Sequence, residues 1–323
     1  MNLSKLRKKY GTQKKCIKHL EKVRWEGVPV CPYCRKIEHI SKRANSYRYQ
    51  CNNCGRSFSV LVGTIFENTN MELPTWFMMI AIMVNSKMGT SSKELSRLLG
   101  ITQRTAWYNA MKVRCAMLDQ AYIIDGIAEM DEAYIGGKPR KPNSKVPSNL
   151  PVLYDVQNKR GRGTRKVPVV GVVSRGKQGK VIAKVIEKFS TKNLLAMLKK
   201  YVNKDGVVLI TDEFSSYKKF DETIQHLTID HKKSYAKGAV HTNTIEGFWS
   251  LIKNGIKGNY RAVSKKYLPF YLAEYSYKYN HRNQAGFGFD ETMENAVDDK
   301  KCLVNFKPKG DVKKICYNRK RKV

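Results

Sequence analysis

Two cysteine pairs, Cys31-x2-Cys34 and Cys51-x2-Cys54 with sixteen residues between them, constrain this chain more than any other feature. Each CxxC sets two thiolates on one tight turn, and two such turns complete a tetrahedral site for a single Zn2+. Four thiolates leave no open position, so the ion is expected to be structural. Short alternating segments, "YRYQC" between the pairs and "SFSVL" after them, read as strands. Residues 25–66 are therefore expected to form a small zinc ribbon. Cys16, Cys115, Cys302 and Cys316 fit no metal spacing and read as inert. The start "MNLSKLRKKYGTQKKC" has no apolar core of a signal peptide. The longest apolar run, Trp76–Val84, is too short to span a bilayer. A cytoplasmic location follows as an expectation, and thiols stay reduced there.

The segments beside the ribbon carry helical signals. Residues 1–24 read as a basic amphipathic helix, with Leu3, Leu6, Tyr10, Ile17 and Leu20 among lysines. Residues 67–122 read as a helix-turn-helix region. Pro74 suits the first turn of a helix over Trp76–Asn85. In "GTSSKELSRLLGITQRTAWYNAMKV", Thr90 or Ser91 can cap and Glu94 can close a capping box. Gly100 ends that helix and Thr102 caps the next, over Gln103–Leu118, so that Gln103, Arg104 and Tyr108 would face a DNA groove. A plain helical hairpin fits the same pattern. Charge favours the DNA-binding reading: 61 Lys+Arg against 27 Asp+Glu give a net +34. An excess that large calls for a polyanion, and double-stranded DNA, on the nucleoid, is the expected partner. Ribosomal or membrane surfaces are the competing polyanions.

From about residue 123 the pattern becomes α/β: a mixed sheet flanked by helices, expected to extend to residue 290. "IAEMDEAYIGGK" reads as a strand entering a Gly-Gly turn. Residues 138–166 form a basic insert whose Arg160, Arg162 and Arg165 would hold DNA phosphates, a solvated disordered insert being the competing reading. "VPVVGVVSRG" and "KVIAKVIEKF" read as a hairpin, and "TKNLLAMLKKYV" as a helix capped by Thr191. "GVVLITDEFSSY" is a nearly continuous apolar strand, as in a sheet covered on both faces. A short strand at "HLTIDH" follows. Residues 291–323 are expected to be a basic tail.

Three acids stand out by position. Asp131 lies in the first strand of the sheet, Asp212 ends the apolar strand, and Glu246 follows Asp212 after 33 residues, near the start of a helix. Carboxylates that converge at strand ends repel one another unless hard cations sit between them. Two Mg2+ (or Mn2+) ions would suit that task and the chemistry of phosphodiesters. In "HTNTIEGFWSLIKNGIKGNY", Ile245, Phe248, Trp249 and Ile252 form the stripe that packs on the sheet. Glu246, Ser250 and Lys253 run along the neighbouring edge, so Glu246 can reach the ions while Lys253 reaches a phosphate. Gly255 and Gly258 are expected to end the helix, leaving Lys257 on a basic loop. Alternation puts Glu132 and Glu213 on faces away from Asp131 and Asp212, but leaves Glu129 on the face of Asp131 as a rival ligand. His241 and Asn243 precede Glu246 closely and could touch the site or merely cap the helix. Tyr267, Phe270, Tyr271, Tyr275 and Tyr279, at near-helical spacing, suit packing better than base stacking.

The stretches "CPYC", "CNNCGRSFSV", "MDEAYIGGK", "TDEFSSY", "HTNTIEGFWSLIKNGIKGNY" and "YLAEYSYKYNHR" together resemble DDE-type bacterial insertion-sequence transposases, the ISXO-like group with an N-terminal zinc ribbon. The resemblance spans about residues 20–285. It implies an RNase H-like catalytic fold, with Asp131, Asp212 and Glu246 as the metal-binding triad and Lys253 as a basic fourth member. Some members of that group have asparagine at the third place, where this chain has glutamate. The implied activity is cleavage at the ends of a mobile element followed by strand transfer, in a dimer or larger assembly. Two rivals stay open: a nuclease of the same fold that only hydrolyses, and a non-catalytic DNA-binding regulator derived from such an element.

Overall fold

The computed structural model describes residues 2–118, 122–136, 166–187, 189–212, 220, 224–229 and 240–298. The chain divides into two compact units, residues 1–120 with 270–323, and residues 121–269. Among the described residues no helix is long and apolar enough to cross a membrane.

The first unit opens with two helices, α1 (Leu3–Tyr10) and α2 (Gln13–Trp25), where the sequence suggested one. Each has its own cap: the Asn2 side chain accepts from the backbone of Ser4 and Lys5, and Thr12 accepts from Lys15. Between them, a Cβ at Gly11 would lie 2.5 Å from the Arg7 carbonyl oxygen. The ribbon follows as an antiparallel sheet of β1 (Ile40–Lys42), β2 (Tyr49–Cys51) and β3 (Ser57–Phe58), in that order. It is not a separate core. Trp25 of α2 stands edge-on to Tyr49 and Phe58. Cys31, Cys51 and Phe58 share one hydrophobic cluster with Trp76 and Phe77 of the next helix, α3 (Leu73–Asn85). Pro74 lies in the first turn of α3. Next come α4 (Ser92–Leu99) and α5 (Gln103–Ala116). Ser91 caps α4, Gly100 ends it at φ 65°, and Thr102 caps α5.

The second unit is the sheet domain. Its elements are β4 (Ile124–Ile135), β5 (Val167–Ser174), β6 (Val181–Val185), α6 (Thr191–Tyr201), β7 (Val202–Asp212), β8 (Gln225–Ile229) and α7 (Asn243–Gly255). The strand order is β6-β5-β4-β7-β8. β6, β5 and β4 pair antiparallel in turn, while β7 pairs in parallel with β4 and β8 in parallel with β7. This is the mixed sheet that the apolar patterning called for, in the RNase H-like form that the resemblance implied. Ala128, Met130, Val170, Val172 and Leu209 turn one face to Leu194, Met197 and Leu198 of α6. The cap of α6 is Ser190 rather than Thr191, which is the first helical residue. The other face takes α7. A Cβ at Gly171 of β5 would meet the Trp249 ring at 2.7 Å and Ile245 at 3.0 Å. Glycine there lets the indole come close against the strand residue paired with Asp131.

The chain then enters α8 (Leu268–Asn280) and, after a 3-10 turn at Ala285–Gly288, α9 (Phe289–Val297). From Phe270 onward these residues group with the first unit, not with the sheet as the expected boundary at 290 would have it. Phe270, Tyr271 and Tyr275 are buried, in line with packing. Beneath them Glu274 is wholly buried and pairs with Arg114 of α5 at 2.6 Å and with Lys278 one turn along. Burial would push the Glu274 carboxyl up, but the Arg114 guanidinium and the Lys278 ammonium outweigh it and hold it down to about 2. Most of the expected tail, from residue 299, lies outside the described residues.

Candidate active site and metal centre

The ribbon's thiols meet as their spacing required. Cys31 Sγ lies 3.7 Å from Cys54 Sγ and Cys34 Sγ lies 3.6 Å from Cys51 Sγ, and all four sulfurs fall within 4.8 Å of one another. Four Zn–S bonds of about 2.3 Å define a tetrahedron with edges of about 3.8 Å. The donor set therefore fits zinc in both chemistry and size.

A second group gathers on the sheet. Parallel pairing of β4 with β7 puts Ile210 beside Glu129, so Asp212 comes level with Asp131 at the end of β7. Both point to the α7 face, opposite the residues that cover α6. Oxygens of Asp131, Glu132 and Asp212 lie within 4.8 Å of one another. Three carboxylates gathered this closely offer the oxygen donors that a hard divalent cation takes, so the donor set fits such an ion in chemistry. The presence of Glu132 corrects the expectation that alternation would turn it away. Its Cβ does start on the other face. The β4–β7 ladder, however, ends at Glu129–Ile210, and a side chain with an extra methylene can reach round the strand beyond that point.

Asp131 records this crowding. Burial first, then the charges of Glu132, Asp212 and Glu246, push its carboxyl up to about 7, although the N–H of Glu132 opposes them. Trp249 Nε1 donates to Asp131 Oδ2 at 3.1 Å and fixes the carboxylate's orientation. Trp249 thus has a polar task besides the packing that periodicity assigns to it.

Glu246 lies on the exposed edge of α7, outside the three-residue group yet near enough for its charge to act on Asp131. Its Oε1 accepts from Thr242 Oγ1 at 3.0 Å. Ser250 and Lys253 share the exposed edge, while Ile245, Phe248, Trp249 and Ile252 are buried. The helix does not stop at Gly255. It widens into a π-helical turn, Ile256–Tyr260, that carries the exposed Lys257.

Glu129, the rival ligand, is on Asp131's face but fully committed elsewhere. It is completely buried, and its carboxylate is held by Arg175, Thr244 and the backbone of Ile245. His241 belongs to the same cluster, with Nδ1 3.4 Å from Glu129. Asn243 opens α7 and is exposed. Arg175 carries no signal of this role in the sequence, where "SRG" reads as the end of a hairpin strand. In the first unit, Gln103 and Arg104 are exposed on α5, and half-buried Tyr108 sits under the Lys112 ammonium, 5.2 Å from the ring centroid. Arg160, Arg162, Arg165 and Glu213 lie outside the described residues.

Comparison with known proteins agrees with this arrangement. Residues 123–280 match the ISXO2-like transposase domain, and residues 11–57 match the transposase zinc-ribbon domain. An uncharacterized protein in transposable element ISH50 of Halobacterium salinarum is 27% identical over 275 residues, covering 82% of this chain and 90% of the relative. Among solved structures, a chain of the simian T-cell lymphotropic virus intasome in complex with PP2A regulatory subunit B56 gamma aligns at a TM-score of 0.27 and 11% identity. That alignment covers 62% of this chain and 66% of that one. The Mos1 strand transfer complex aligns at 0.26 and 10%, covering 69% and 75%. Overlaps this slight carry no weight beside the sheet order itself.

Proposed function

From a domain at residues 123–280 that belongs to the ISXO2-like transposase family, joined to a transposase zinc ribbon, we propose that this chain cuts DNA at the ends of its own insertion sequence and transfers the freed strands to target DNA. The observation that carries the proposal is the meeting of Asp131, Glu132 and Asp212 oxygens on one sheet face beside α7. Asp131, Asp212 and Glu246 would hold two divalent ions, Mg2+ or Mn2+, with Glu132 close by. Such ions, when bound, polarise a phosphodiester and activate the oxygen that attacks it.

The chain's own residues supply the rest. Trp249 keeps one Asp131 oxygen directed. Lys253, on the exposed edge of the helix that bears Glu246, would grip a phosphate next to the scissile bond, and Lys257 a more distant one. Gln103, Arg104 and Tyr108 of α5, with the ribbon, would recognise the element's ends. The ribbon's zinc would serve shape alone. Holding two ends at once calls for a dimer or larger assembly, acting on the nucleoid in the cytoplasm.

The test uses purified protein, Mg2+ and DNA carrying the element's terminal repeats. Wild type should nick and then join strands. Asp212→Asn should lose both steps by at least about a thousandfold while still shifting the DNA in a gel. Continued cutting by that variant would remove the site from the reaction, and nicking by wild type without joining would reduce it to a nuclease.

A further inference from the structure

The start of α7 is capped from another strand. Thr242 occupies the N-cap position but makes no side-chain capping hydrogen bond. An N-cap side chain ordinarily accepts from the backbone N–H two or three residues on. Here the N–H of Ile245 donates instead to Glu129 Oε2 of β4, at 2.9 Å. Glu129 Oε1 accepts from Thr244 Oγ1 at 2.8 Å and from Arg175 Nε at 2.6 Å. The same guanidinium donates to the carbonyl of His241 at 2.6 Å, just before the helix, and lies 3.0 Å from that residue's Nδ1. The backbone N–H of Arg175 donates to the Ile127 carbonyl of β4 at 2.8 Å. Residues 241–245 are thus fastened to β4 by one carboxylate and one guanidinium. A carboxylate with no exposure is tolerated because each oxygen is occupied and an opposite charge sits beside it. It also meets the positive end of the helix dipole.

The consequence reaches Glu246. With capping supplied by Glu129, the Thr242 hydroxyl turns to the Glu246 carboxylate instead. Glu129 also sits two residues before Asp131 on the same strand face. One strand therefore carries both a proposed ligand and the fastening that sets the helix bearing another. Building on the function proposed above, we propose that Glu129, Arg175 and Thr242 are positioning residues. They hold Glu246 in register with Asp131 and Asp212 and are not ligands themselves.

The experiment measures Mn2+ binding to the full-length protein directly, by calorimetry without DNA, alongside the melting temperature. Glu129→Gln keeps the volume but removes the charge, and Thr242→Val removes only the hydroxyl. Each should weaken Mn2+ binding by about 10- to 100-fold, the usual effect of losing a group that orients a ligand. Thr242→Val should do so with a melting temperature close to wild type, which a merely structural role would not produce. If Glu129→Gln fails to fold, Thr242→Val alone decides. Wild-type binding that is lost in Asp212→Asn but unchanged in Thr242→Val and in folded Glu129→Gln would overturn the positioning role and leave the site standing. Absence of Mn2+ binding by wild type would instead strike the proposed function.

Discussion

Asp131 feels both its own burial and the acids gathered around it. Its carboxyl titrates ordinarily near 3.8, and burial with three neighbouring acids pushes it up to about 7 in the fold. The native state therefore holds this proton more tightly than the unfolded chain does. The associated stability is fully present below the unfolded value and is lost as pH rises through about 7. Above that pH, repulsion among bare carboxylates is at its greatest, and a divalent cation relieves the most. Mn2+ should accordingly raise the melting temperature more at pH 8 than at pH 6, and Asp131→Asn should remove the difference. Equal shifts at both pH values would break the link between this carboxyl and the ions. At this scale alternation read Asp131 and Glu129 correctly, because it fixes where a Cβ points. It misplaced Glu132, because the direction of a Cβ says little about where a carboxylate three bonds further ends up. The trans-strand cap was also beyond reach, since nothing in "SRG" tells which distant carboxylate its arginine will meet.

Elements follow their local signals where a signal exists. Gly100 ends α4 in the left-handed conformation, at φ 65°. No atom lies within 4 Å of a Cβ built there, so Gly100→Ala pays only the backbone penalty, about 1–2 kcal/mol. Urea denaturation should show that loss, and an unchanged midpoint would mean that the left-handed cap does not set the turn between α4 and α5. Caps and glycines made this pair of helices legible, as they did the apolar stripe of α7. They did not reveal the π-helical turn after Gly255, because Gly258 looks like a terminator in sequence while the backbone simply widens around it. The break between α1 and α2 did leave a mark, the Gly11–Thr12 step, but the amphipathic pattern running across it concealed the second cap.

For the molecule as a whole, hydrophobic periodicity disclosed a mixed sheet and its flanking helices but not the grouping of α8 and α9. A helix's apolar face shows that it needs a partner without saying which one. The partner here is set partly by charge, since Glu274 of α8 lies between Arg114 and Lys278 with all three buried. Glu274→Gln would leave two buried cations facing an amide, at a cost of about 3–5 kcal/mol. Hydrogen exchange in urea should show residues 1–120 and 270–298 losing protection early, with the sheet of residues 121–269 unaffected. Simultaneous loss in both units would mean that they unfold as one.

Because one unit is assembled from the two ends of the chain, the order of translation matters. A ribosome delivers Arg114 long before Glu274, with the entire strand-rich middle emerging in between. A nascent polypeptide halted at Pro269 would possess every proposed ligand for divalent ions, yet its amino-terminal portion would lack the carboxylate that Arg114 requires. On the ribosome, then, Arg114 waits for Glu274: this unit can close its buried ion pair only after the sheet segment has been made.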